Sequence, residues 1–134
     1  KVIKGSKVLI MGLTYKENVA DTREAPVKGI IKELKEYGAE IYGYDPLLNN
    51  IEDEFGIKPY PLSLITHNAS RLSPHSLRIT PVDCAIMAVA HEAFNEINLD
   101  KLKSTMNAIP ILIDVRNFFG EEESAGKGFY YKTL

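Results

Sequence analysis

Two strand-sized stretches of this chain, Val8–Met11 and Cys84–Ala90, are apolar at every position rather than at every second one. A strand with no polar face must be covered on both sides, which is the situation of central strands in a parallel sheet flanked by helices. Between them lies a helical signature. Pro26 suits a first helical turn, Val27, Ile30, Ile31 and Leu34 recur at helical spacing, and Gly38 follows as a C-terminal stop. The spacing predicts a helix over 26–37, between a first strand at Lys7–Met11 and a second at Glu40–Tyr44 that Asp45-Pro46 ends. Strand, helix, strand is a βαβ unit, whose crossover is right-handed.

The same alternation extends down the chain. Residues 47–55 read as a short acidic helix, and Ile57-Lys-Pro59 as an edge strand, since an internal proline excludes a central one. Residues 62–81 mix serines, histidines and isolated leucines without a period, and read as a loosely packed helix followed by a surface loop. A buried strand is expected at 83–90, an amphipathic helix at 96–106, a strand at 109–113 and a final edge strand at 129–131. The stretch 120–128, with three consecutive glutamates, reads as a solvated loop. The expected fold is a single α/β domain over residues 1–134, a three-layer Rossmann-like arrangement with a mostly parallel sheet of five to six strands.

Composition narrows the functional classes. The net charge of −2 argues against a broad nucleic-acid-binding face. No apolar run approaches the ~20 residues of a membrane-spanning helix, and the N-terminus shows no secretory signal pattern. Cys84 is the one cysteine, which excludes an intrachain disulfide and points to a reducing, cytoplasmic setting. Lying inside an apolar strand, it reads as a core residue rather than a nucleophile. His67, His75 and His91 lack the spacing of metal ligands, and Asn68-Ala-Ser70 matches the glycosylation pattern by chance.

In a parallel sheet, the residues that follow each strand share one rim, where ligands of such folds bind. Tyr15, Lys16 and Arg23 follow the first strand, Asp45 the second, His91 and Glu92 the third long one, and Arg116 and Asn117 the next. Three cations on one rim of a slightly acidic chain suit a pyrophosphate, with helix N-terminal amides beside them. Pairing of Lys16 and Arg23 with Glu17, Asp21 or Glu24 fits the spacing equally well. Asp45 stands where a ribose-binding acid belongs, but Tyr-Asp-Pro is also a good strand terminator, the reading favoured here. His91-Glu92 could meet a ligand or simply begin the turn at 93–95. The first loop carries only Gly12, so it is not a Gly-x-Gly-x-x-Gly dinucleotide fingerprint, and an independent NAD site is not expected.

Val8-Leu-Ile-Met-Gly-Leu-Thr-Tyr-Lys16, Asn18-Val-Ala-Asp-Thr-Arg-Glu-Ala-Pro26, Tyr42-Gly-Tyr-Asp-Pro46, Asp114-Val-Arg-Asn117 and Gly128-Phe-Tyr-Tyr131 fall in the order seen in one enzyme family. In these segments the chain resembles the C-terminal domain of the UDP-glucose/GDP-mannose dehydrogenases, over nearly its full length. Ala88-Val-Ala-His-Glu-Ala-Phe94 is most similar to the branch acting on UDP-N-acetylhexosamines. The resemblance implies an NAD-dependent oxidation of a nucleotide-sugar C6 alcohol to a carboxylate, through a thiohemiacetal on a cysteine outside this chain. It implies that Tyr15 and Lys16 contact the UDP-sugar, that Arg116 binds its diphosphate or uridine, and that Arg23 reaches toward the NAD pyrophosphate. It further implies missing N-terminal NAD-binding and central domains, a homo-oligomer in the full protein, and no activity for the domain alone. The alternative from another class is a Rossmann-like interaction or assembly module that takes no ligand. A small nucleotide- or CoA-binding domain of another enzyme would need an open, glycine-lined first loop, where this chain has Thr14-Tyr15-Lys16.

Overall fold

A computed structural model describes residues 4–60 and 81–133. Among the described residues, six parallel strands form one sheet: β1 (Lys7–Met11), β2 (Glu40–Tyr44), β3 (Lys58–Pro59), β4 (Val82–Met87), β5 (Met106–Asp114) and β6 (Tyr130–Thr133). Their spatial order is β3-β2-β1-β4-β5-β6, so the chain grows outward from β1 in one direction and later from β4 in the other. Helices α1 (Val27–Glu36), α2 (Ile51–Phe55), α3 (Leu99–Ser104) and α4 (Glu121–Gly126) join them, with a 3-10 turn at Glu92–Glu96.

Right-handed crossovers running in opposite directions must place their helices on opposite faces. The core divides accordingly. Val8, Ile10, Ile41 and Ile86 of the sheet pack with Val27 and Ile31 of α1 and Ile51 and Phe55 of α2. Leu9, Met11, Met87 and Leu112 pack on the other face with Phe94, Leu99 and Leu102. The apolar run of β1 is explained by this: alternate residues serve two separate cores, and Leu9, Ile10 and Met11 have no solvent exposure. At ~25 cal/mol per Å² of apolar surface, this double burial is the main stabilising term of the domain.

Three expectations are corrected. The helix expected at 96–106 is shorter: α3 covers Leu99–Ser104, begins after the 3-10 turn that ends at Glu96, and is capped by the Asn98 side chain, which accepts from the Lys101 amide at 3.1 Å. Strand β5 starts earlier than residue 109, and its pairing with β4 shifts register between Val82 and Cys84, opposite the segment that carries Pro110. A proline cannot donate to the ladder, so the strand bulges past it. The glutamates at 121–123 form the first turn of α4 rather than a loop. Acidic side chains there complement the positive end of the helix dipole. The sequence readings of residues 62–80, including His67 and His75, lie outside the described residues. Among the described residues, no helix is long and apolar enough to cross a membrane.

Candidate functional site

The parallel register pairs Met11 with Tyr44, Met11 with Met87, and Met87 with Asp114. The next residues therefore stand level on one rim. Hydrogen bonds fix that row: Gly12 N–H donates to Tyr44 O (2.9 Å), Ala88 N–H to Met11 O (2.9 Å) and Val115 N–H to Met87 O (3.1 Å). Between β1 and β4 the winding direction reverses, and such a switch point leaves a crevice because the flanking loops diverge. Here it holds a cleft of about 230 Å³ lined by Tyr15, Pro26, Val27, Ile30, Ala88, Val89, Val115 and Arg116. Its walls are apolar, with one phenol and one guanidinium at the lip.

The loop that carries Tyr15 and Lys16 is tightly tied. Tyr15 N–H donates to Asp21 O at 2.7 Å, and the Thr14 hydroxyl donates to Lys16 O at 2.9 Å. Asn18 adopts φ 63° and offers its backbone N–H to His91 Nδ1 (2.9 Å) while its side-chain oxygen accepts from Glu92 N–H (2.7 Å). Asparagine tolerates this left-handed conformation better than most residues.

Beneath the loop, His91 and Asp45 are 1% and 2% exposed. Asp45 accepts from Leu13 N–H (2.7 Å), Leu47 N–H (2.9 Å) and His91 Nε2 (2.8 Å). Because Nδ1 receives the Asn18 amide proton, it carries none itself, so His91 is neutral with its proton on Nε2, aimed at Asp45. The Thr14 hydroxyl, whose own proton goes to Lys16, lies 3.2 Å from Nε2 as a secondary acceptor. The Phe94 ring, 5.4 Å away between centroids, closes the pocket around the imidazole.

Tyr15 and Arg116 of the expected site line one cleft. Arg116 Nε also lies 3.7 Å from Glu17 Oε1, which links the end of β5 to the first loop. Lys16 is exposed between Tyr15 and Glu17. Arg23 does not join the cleft lining. Its side chain is 88% exposed and forks onto Asp21, with Nε to Oδ1 and Nη2 to Oδ2 both at 3.1 Å. Hydrogen bonds from Arg23 hold the Asp21 carboxyl below the usual carboxylate range and in return raise the guanidinium. The α1 amides expected at the site are turned away: Lys28 N–H donates to Ala25 O and Gly29 N–H to Pro26 O. The turn after β5 is tied to Asp114, whose carboxylate accepts from Phe118 N–H (2.9 Å), Phe119 N–H (2.7 Å) and the Tyr131 hydroxyl (2.8 Å). Sequence reasoning missed the Thr14, Asn18, Asp45 and His91 cluster as a unit. The one signal was that all four fall on the same rim.

The first turn is held close to the residues that follow β4. Gly12 has φ +95°, and a Cβ there would stand 2.6 Å from Val89 O. The glycine thus serves the close passage of the chain just beyond β4.

A family model described as the UDP-glucose/GDP-mannose dehydrogenase family, UDP binding domain, matches residues 9–121. The chain belongs to that family, as its UDP-binding domain. Among the family's curated members, it is 31% identical to UDP-glucose 6-dehydrogenase of Rhizobium meliloti (strain 1021), across 98% of this chain and 28% of the relative. It is 32% identical to UDP-N-acetyl-D-glucosamine 6-dehydrogenase of Pseudomonas aeruginosa, across 91% of the chain and 26% of that protein. The chain therefore spans little more than a quarter of the length of the relatives it matches. In fold it superposes on the UDP-N-acetyl-mannosamine dehydrogenase Cap5O from S. aureus with TM-score 0.63 at 22% identity, covering 96% of this chain and 26% of that one. A second match, a UDP-D-ManNAc dehydrogenase from Pyrococcus horikoshii, gives TM-score 0.62 at 18% identity, covering 99% and 26%.

Proposed function

We propose that this chain is the C-terminal, UDP-sugar-binding domain of a cytoplasmic NAD-dependent UDP-sugar 6-dehydrogenase, inactive on its own. The full protein, a homo-oligomer, oxidises the sugar C6 alcohol to a carboxylate. Its NAD cradle and catalytic cysteine lie in other domains. One observation carries the reading: the switch-point cleft joins the Tyr15 loop to Arg116 across three strands. Its apolar walls and the Tyr15 ring suit the flat uracil and ribose, while Arg116 in the lining and the exposed Lys16, next to Tyr15 in the chain, would take the diphosphate. Arg can grip phosphate oxygens with a bidentate fork, and Lys adds a point charge. Arg23, outside the cleft, is presented toward an NAD pyrophosphate that another domain carries.

A second reading, an assembly module with no ligand, draws on the Arg23–Asp21 and Arg116–Glu17 pairs. Both pairs are exposed or half-exposed, where water and salt screen an ion pair to little net stabilisation. A diphosphate outcompetes Glu17 for Arg116. Calorimetric titration of UDP into the chain separates the two readings. Saturable binding that Lys16→Ala and Arg116→Ala each weaken supports the UDP-sugar domain. No heat at millimolar UDP, together with an unchanged UDP-sugar KM for Arg116→Ala in the full protein, overturns it. Altered self-association of the same variants would then favour the assembly module.

A further inference from the structure

The geometry points to His91 as the positioning residue of the nucleotide-sugar loop: a neutral imidazole that clamps the backbone of Asn18 to the buried carboxylate of Asp45. The inference rests on the UDP-sugar reading of the Tyr15–Lys16 loop and adds what holds that loop in shape. A ligand site on a loop needs its side chains fixed within a fraction of an ångström, so the supporting layer decides affinity. Here the supporting layer is one imidazole with both nitrogens engaged in opposite senses. Nε2–H donates to Asp45 Oδ2 at 2.8 Å, and Nδ1 accepts from Asn18 N–H at 2.9 Å. Asp45 is itself fixed by two backbone amides, so the clamp is anchored to the ends of β1 and β2.

The consequence is directional. Thr14 holds the Lys16 carbonyl from one side and His91 holds the Asn18 amide from the other, leaving Lys16 and Glu17 as the crest of a loop fixed at both feet. Glu17 in turn faces Arg116. Removing the acceptor at Nδ1 frees Asn18, lets the crest move, and makes nucleotide binding bear the cost of ordering it. The Asn18 side chain, bonded to Glu92 N–H, keeps the loop near β4 but does not set the height of its backbone.

Two substitutions separate the halves of the clamp. In His91→Asn the side-chain oxygen reaches the Nδ1 position and keeps the Asn18 bond, but nothing reaches Asp45. In His91→Gln the amide nitrogen reaches the Nε2 position and keeps Asp45, but nothing accepts from Asn18. The experiment is amide hydrogen exchange at Asn18 and a UDP titration on the chain and both variants, with unfolding midpoints alongside. The expected result is that His91→Gln loses Asn18 protection and binds UDP about tenfold more weakly, the cost of ordering a loop whose part-buried Asn18 amide has lost its acceptor. His91→Asn keeps Asn18 protection and most of the affinity, even where its midpoint falls further. Equal affinities in both variants, or losses that follow the unfolding midpoints, overturn the inference. If the parent chain binds no UDP, that result overturns the UDP-sugar reading only together with an unchanged UDP-sugar KM for Arg116→Ala in the full protein. Retained Asn18 protection in His91→Gln then still refutes the clamp.

Discussion

Replacing Asp45 tests the foundation of the rim more severely than replacing any cation on it. Its carboxylate accepts from Leu13 N–H at 2.7 Å, His91 Nε2 at 2.8 Å and Leu47 N–H at 2.9 Å. In Asp45→Ala, Leu13 and His91, both essentially without solvent exposure, lose their acceptor. Leu47 is exposed, and its amide turns to water. A buried donor left without an acceptor costs about 1–3 kcal/mol. Thr14 Oγ1, 3.2 Å from Nε2, recovers part of the histidine's share. Asp45→Ala is therefore expected to cost about 3–4 kcal/mol. Unfolding entropy of about 2.1 cal/mol/K per residue converts this, for 134 residues, to a fall of about 11–14 °C in the unfolding midpoint. Asp45→Asn can place its carbonyl oxygen at Oδ2, where it still accepts from Leu13 and His91. Only Leu47 then faces an amide, so about 1 kcal/mol and 3–4 °C are expected. Scanning calorimetry with urea titration reads both. A fall under about 4 °C for Asp45→Ala, or equal losses for the two variants, refutes the hydrogen-bond accounting.

Gly12→Ala forces a left-handed backbone on alanine and drives its Cβ to 2.6 Å from Val89 O; a loss of about 3 kcal/mol in urea unfolding is expected. Arg116→Ala should weaken UDP at least tenfold by calorimetry. It should leave the midpoint nearly unchanged, since its 3.7 Å pair with Glu17 is half-exposed. Burial, and then the hydrogen bond to Asp114, push the Tyr131 phenol from 10.0 up to about 12. The folded value is the higher one, so this group's contribution is complete below 10 and is lost as pH rises toward about 12. Stability curves across that window should fall more steeply for the parent chain than for Tyr131→Phe.

Local patterns were legible wherever one residue type forces one outcome. β1 and β2 have the ends that their apolar runs and the Asp45-Pro46 stop predict. The proline of Ile57-Lys-Pro59 correctly put β3 at an edge. α1 follows its apolar stripe to within a residue at each end. Short elements were not legible. Helix α4 is six residues long, too short for a helical period to emerge, and its acidic first turn looked the same as a solvated loop. The start of α3 rests on the Asn98 cap, a single residue inside the apolar stripe that suggests a start at residue 96.

The candidate site divides along the same line. The rim rule places Tyr15 and Arg116 together from sequence, because parallel strands leave no other place for their following residues, and both line one cleft. It also put Arg23 there, where the structure shows a side chain engaged by its neighbour Asp21. Asp45 looked like a strand terminator and His91 like the start of a turn. Each is that, and each is also half of a buried pair 46 residues apart in the chain.

Sequence alone determined the layers: apolar strands that must be covered twice, a helix stripe that must face them, and turns that must lie at the strand ends. These follow from burial and backbone chemistry acting over a few residues. Which rim groups meet was decided only by the strand order, which sets β1 between β2 and β4 and so brings Asp45, Thr14 and His91 within hydrogen-bonding reach. Hydrogen bonds act over about 3 Å, and no local pattern in the chain encodes a distance between residues that only the folded sheet makes neighbours.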